Sequence, residues 1–159
     1  HEVWFAPSPI SFGIPDNWGA AAVVYALVEG LAGVKDNGVA FDRAVIAPRW
    51  PAAGVKAVSA TIKYEASGGF VSYQARYAGC SLDLEFTGSG DAFDLALLLP
   101  AGKTAAEVRL DGKPAAFKLR KERKSAYVCL SVRGPAAHRL RVSLRSVARP
   151  GVASAAPGC

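Results

Sequence analysis

The stretch Ala126-Tyr127-Val128-Cys129-Leu130-Ser131-Val132-Arg133, followed by Leu140-Arg141-Val142-Ser143-Leu144-Arg145, decides the fold class. Ala126, Val128, Leu130 and Val132 alternate with Tyr127, Cys129, Ser131 and Arg133, and Leu140, Val142 and Leu144 alternate with arginine and serine. A period of two sends successive side chains to opposite sides of a pleated strand, so each segment offers one apolar face to a core and one polar face to water.

The same period runs upstream. Val58, Ala60, Ile62 and Tyr64 alternate with Ala57, Ser59, Thr61 and Lys63, and a Ser67-Gly68-Gly69 turn leads into a partner strand from Phe70 to Tyr77, which predicts a hairpin. Leu82, Leu84 and Phe86 alternate with Ser81, Asp83 and Glu85, and Phe93, Leu95, Leu97 and Leu99 run towards a stop at Pro100. Val108 and Leu110 precede the tight-turn pair Asp111-Gly112, Ala115 to Leu119 reads as the returning strand, and Lys121 to Lys124 as a charged hairpin tip. Short alternating segments punctuated by Gly, Pro and Asp predict a mainly β fold, an antiparallel β-sandwich of about eight strands.

Ahead of the strands the period changes. Val23, Val24, Leu27, Val28 and Leu31 form one apolar helical face, while Gly19, Ala22, Ala26, Gly30 and Gly33 run down another. Pro15, Asp16 and Asn17 supply a turn and a candidate N-cap, and Gly33 or Gly38 a stop. A helix apolar nearly all round predicts burial in a packed layer. No second helix in the sequence can cover it, which points to a larger helical domain around it. The expected organisation is a loop and final helix at residues 1–38, the sandwich at 39–147 and a small-residue, Pro-containing disordered tail at 148–159.

Composition narrows the function. With 159 residues, about half of them apolar, the chain suits one core. It begins at His1 and contains no methionine, which reads as a processed product or a fragment. The apolar window from Trp18 to Val34 is shorter than the roughly 20 residues a bilayer span needs and carries Glu29, so no membrane partner is expected. Cys80, Cys129 and Cys159 lack metal-ligand spacing; Cys80 with Cys129 is the pair to test as a disulfide, against isolated thiols. There is no Gly-rich phosphate loop, zinc or calcium signature or nucleophile elbow, so neither metal nor cofactor is expected. His1 and His138 are too few and too distant in sequence to suggest a base with its orienting partner.

Glycosidic hydrolysis needs two carboxyl groups flanking the scissile bond. Asp83, Glu85, Asp94 and Asp111 fall on polar strand positions or in turns, whereas Glu2 stands in an aromatic loop. Glu2-Val3-Trp4, then Phe12-Gly13, then Trp18-Gly19-Ala20 opening an apolar helix, resembles the end of an (α/α)6-barrel glycoside hydrolase of the trehalase and processing-glucosidase type. Arg43 to Ile46, Pro48-Arg49-Trp50-Pro51, Ile62-Lys63-Tyr64 and Val108-Arg109-Leu110-Asp111-Gly112-Lys113 are similar to the C-terminal sandwich that follows such barrels. The resemblance implies that Glu2 maps to the catalytic general base, that the acid lies upstream, and that the helical catalytic domain of the parent chain is the partner. It implies hydrolysis of an O-glycosidic bond without cofactor, by a parent of which this chain is a non-catalytic, bracing piece, and a secreted or periplasmic location.

Trp4, Trp18, Trp50, Tyr73 and Tyr77 are candidates to cover the apolar face of a sugar ring. Packing at a domain junction competes for Trp18 and Trp50, and Tyr73 and Tyr77 form a platform only if their shared strand face is exposed. From Phe117 to Arg149 ten Lys or Arg stand against Glu122, while the first 116 residues hold nine Lys or Arg against twelve Asp or Glu. Arg139, Arg141 and Arg145 should line one outer face. Tyr127 is the lone aromatic between Lys118 and Arg149, so nucleic acid is not expected. Two alternatives to the bracing role follow: a free-standing carbohydrate-binding module using exposed aromatics, and a basic surface-adhesion domain that meets acidic polymers.

Overall fold

The structure, a computed structural model, describes residues 17–147. One helix precedes eleven strands arranged in two sheets. Helix α1 (Asn17–Tyr25) continues as a π-helical stretch, Ala26–Ala32. It ends where Gly33 turns left-handed at φ +69°, with its amide donating to Val28 O. A Cβ there would lie 1.9 Å from Ala47 O, so both the dihedral and the space call for glycine.

The strands are β1 (Val34–Asp36), β2 (Arg43–Ile46), β3 (Ala57–Lys63), β4 (Phe70–Ala78), β5 (Ser81–Gly88), β6 (Ala92–Leu98), β7 (Lys103–Leu110), β8 (Lys113–Pro114), β9 (Lys118–Glu122), β10 (Ser125–Arg133) and β11 (His138–Ser146). Sheet A has the order β1-β2-β6-β10-β9 and sheet B the order β3-β4-β5-β11-β7-β8. All pairings are antiparallel except β2 with β6.

The alternation does what a half-buried sheet requires. Phe93, Leu95 and Leu97 of β6 and Val128 and Val132 of β10 point from sheet A at Val71, Tyr73, Leu82, Leu84, Phe86, Leu140 and Val142 of sheet B, all in one buried cluster. Complete burial of such a side chain stabilises by about 1.5–3 kcal/mol. Phe86 meets Phe93 edge-on across the sheets at 5.4 Å. The Asp111-Gly112 turn has positive φ at both positions, 52° and 78°, the backbone twist that a two-residue hairpin selects. Ala105 and Val108 are both buried although three apart, because the β7–β11 register shifts between Ser143 and Leu144. The extra residue of a bulge returns the strand to phase.

Three expectations change. Among the described residues the strands number eleven rather than about eight, the additions including β1, which joins sheet A ahead of residue 39, and the two-residue β8. The returning segment divides at Ala115: β8 pairs with β7 on sheet B, while β9 crosses to pair with β10 on sheet A. The helix is not buried within this chain. From Ala20 to Leu27 its residues are exposed, including Val23 at 67% and Tyr25 at 64%.

Candidate functional site

The helix leaves the sandwich at a root built from several contacts. Arg49 Nη1 donates to Glu29 O at 3.1 Å and Gly30 O at 2.8 Å, satisfying carbonyls that a helix end leaves without partners. Arg49 N donates to Leu31 O and Ala47 N to Gly33 O, at 3.0 and 2.8 Å. Beneath them, Trp50 Nε1 donates to Tyr73 Oη at 2.6 Å, and Tyr73 Oη donates to Ala32 O at 2.8 Å. The short 3-10 turn Trp50–Ala53, strand β4 and the last helical residue are thus joined through one phenol. Beyond this root, α1 presents Val23, Val24 and Tyr25 to solvent, and its π-helical continuation presents Leu27.

The aromatic candidates divide accordingly. Tyr73 is 1% exposed and faces the core, so neither face of its ring is open. Burial holds its hydroxyl above the ordinary tyrosine range, with the Trp50 hydrogen bond working against that. Tyr77 packs partly buried against the same core. Its buried hydroxyl has no hydrogen-bond partner, and burial, with Tyr73 nearby, raises its pKa strongly. The shared strand face of these two tyrosines is therefore the inner one, which removes the exposed platform. Trp50 is half-buried against the core and spends its N–H on Tyr73. Trp18 lies in the first turn of α1, its side chain outside what is described, and Glu2 and Trp4 fall outside the described residues.

On the outer face of sheet B, Arg139 and Arg141 meet acids on the neighbouring strand β5, and Arg109 meets one on its own strand β7. Arg139 pairs with Glu85 opposite it, Arg141 with Asp83 at 3.3 Å, and Arg109 with Glu107 at 2.8 Å. Asp111 accepts from the Arg139 amide and lies 2.8 Å from His138 Nδ1. Burial works against ionisation of Asp111, but those two contacts outweigh it and leave its pKa lowered. His138 is thus a partner for the Asp111 turn.

Sheet A differs. Asp94 accepts from Ser131 Oγ at 2.6 Å and from Arg43 at 2.8 Å, and the Ser131 bond leads the effects that lower its pKa against partial burial. A groove of about 590 Å³ on this face includes Val45, Ala96, Phe117, Lys118, Arg120 and Cys129. Cys129 is a free cysteine, whereas Cys80 is disulfide-bonded, so the Cys80–Cys129 pair does not form. Their strands explain it: Cys129 lies in β10 of sheet A and Cys80 in the β4–β5 turn of sheet B. Among the described residues no three His, Cys, Asp or Glu side chains gather as metal ligands, and no helix is long and apolar enough to cross a membrane.

Much of this chain has a solved counterpart in fold. The fold recurs in a glycoside hydrolase. An α-L-rhamnosidase from Dictyoglumus thermophilum superposes with a TM-score of 0.54 over 71% of this chain, at 14% identity. This chain spans 12% of that protein, so the likeness is to one part of a much longer enzyme and concerns the fold. No protein-family model and no curated protein matches the sequence. The rhamnosidase relation supports a glycoside hydrolase-related fold without specifying a barrel type.

Sequence reasoning missed the root. In the sequence Tyr73 reads as a candidate to face a sugar and Arg49 stands out only within a motif, yet both tie the helix end to the sandwich. One signal was available: Tyr73 shares strand parity with Val71 and Ala75, and that apolar company marks an inward face.

Proposed function

We propose that this chain is the C-terminal accessory β-sandwich of a larger glycoside hydrolase. In this reading the chain up to Gly33 contributes the loop and final helix of a helical catalytic barrel, and the sandwich, which β1 enters at Val34, braces that barrel. The observation that carries the proposal is the exposed apolar surface of α1 and its π-helical continuation, with Val23, Val24, Tyr25 and Leu27 all more than half exposed. Water-exposed apolar groups gathered on one short element mark a surface built for a partner. Among the described residues the helix is exposed from Ala20 to Leu27, while its C-terminal end is fastened to the sandwich by Arg49 and Tyr73. The rhamnosidase, in which a like sandwich forms a small part of the enzyme, is consistent with this arrangement.

Catalysis then belongs to the parent. One carboxyl group cannot act on both sides of a glycosidic bond, so Glu2, the candidate general base, needs an acid from upstream. Trp4 and Trp18 are the remaining aromatic candidates for a sugar. A secreted or periplasmic location suits a disulfide-bonded Cys80.

The test begins with the parent gene. The codons upstream of His1 should encode a helical barrel, and that barrel, produced separately, should form an equimolar complex with this chain. Val24→Lys with Leu27→Lys should abolish the complex while leaving the sandwich folded. A parent with no upstream helical domain, or a complex indifferent to these substitutions, overturns the proposal.

A further inference from the structure

The cations of this chain fall into two populations. On sheet B, Arg139, Arg141 and Arg109 are each matched by a carboxylate. At the edge of sheet A the balance fails: β9 and its turn carry Lys118, Arg120, Lys121, Arg123 and Lys124 against Glu122. Arg120 pairs with Glu122 at 3.2 Å. Lys118, Lys121, Arg123 and Lys124 have no ion pair among the described residues, and every residue of β9 is exposed. Arg145 and Arg76 on sheet B also lack an ion pair among the described residues, but the densest run of unmatched cations is on β9 and its turn, at the edge of the opposite sheet.

This edge borders the groove of about 590 Å³ on the outer face of sheet A. Lys118 lies directly across from Cys129, and Cys129 from Ala96, so Lys118 and Arg120 rise beside a floor of Cys129 and Ala96, while Asp94 at the far side of the groove is already held by Ser131 and Arg43. Arg49 lines the same groove. Such a trough offers apolar surface to the C–H face of a pyranose and cations to a carboxylate at its edge. Its volume falls within the roughly 300–1,000 Å³ of small-molecule sites. A nucleic acid would want an open aromatic face, but the Tyr127 ring is 8% exposed and lies beneath the Arg120 guanidinium at 5.3 Å.

We propose that the β9–β10 hairpin and the adjoining groove of sheet A bind a carboxylated polysaccharide, a chain of uronic-acid units. The site uses residues of this chain alone and goes beyond the bracing role. It would hold an acidic glycan near whatever catalytic domain α1 joins, and it stands even if that domain proves to be of another kind.

Calorimetry of the full chain with polygalacturonate oligosaccharides, set against the same oligosaccharides methyl-esterified to neutrality, tests the site. Binding is expected for the acidic form alone, and it should fade towards about 1 M salt, where the Debye length is about 3 Å. Replacing Lys118, Lys121, Arg123 and Lys124 together by Gln should weaken it about tenfold or more. Replacing Arg139 and Arg141 by Gln should change it less than about twofold, because those cations are already matched. Far-UV circular dichroism establishes that both variants are folded. No binding, equal binding of the esterified form, equal loss in the two variants, or equal affinity for single-stranded DNA each overturns the proposal. None of these outcomes bears on whether the parent gene encodes a helical barrel, so the two readings fail separately.

Discussion

Tyr73 and Tyr77 occupy the same face of β4 and differ in one respect that fixes opposite expectations. The Tyr73 hydroxyl accepts from Trp50 and donates to Ala32 O. Tyr73→Phe leaves a buried donor and a buried acceptor without their partner and should cost about 1–3 kcal/mol, read as a lower urea midpoint at unchanged m-value. The Tyr77 hydroxyl is buried without a partner. Tyr77→Phe removes that desolvation burden and should be neutral or stabilising by up to about 1 kcal/mol in the same experiment. A loss of stability in Tyr77→Phe as large as that in Tyr73→Phe would contradict the hydrogen-bond assignment.

The elements show why some of the fold was legible and some was not. Alternation in β4, β5, β6, β10 and β11 exposed the two faces of the sandwich directly, since one sequence period maps onto one geometric period. Asp111-Gly112 announced its turn through backbone preference. The three-residue β1 and two-residue β8 are too short to show a period, and the parallel β2–β6 pairing joins segments far apart in sequence. The burial of α1 could not be read from this chain because no element of the described sandwich covers it. At the helix end, Gly33→Ala combines a positive φ with a Cβ 1.9 Å from Ala47 O, and should destabilise by more than about 1 kcal/mol. Gly54→Ala provides the contrast, sharing the positive φ at 75° but meeting nothing within 4 Å. Thermal melts of the two variants should rank Gly33→Ala as the more damaging.

For the whole molecule, acid is the revealing variable. Asp94 joins β6 to β10 through Ser131 and to β2 through Arg43, and its pKa is lowered from the ordinary 3.8. Because the folded value lies below the unfolded one, Asp94 stabilises the fold above about pH 4, and that contribution is lost as pH falls through the folded value. Asp111, lowered as well, acts in the same direction on sheet B. Asp94→Asn should therefore destabilise the chain near neutrality and narrow its difference from the parent sequence towards pH 2, in urea titrations across that range. A constant difference at all pH values would remove Asp94 from the acid response. Which of the ten late cations meet a carboxylate was invisible in sequence, where all look alike, because register decides it.

The root of the helix has a mechanical meaning. With Arg49 gripping two carbonyls from one side and Tyr73 a third from beneath, the joint at Gly33 has little freedom to swivel. The helix is mounted as a cantilever. A body gripping its far end would feel the stiffness of the entire sandwich, and a tilt imposed there would be passed on as torque.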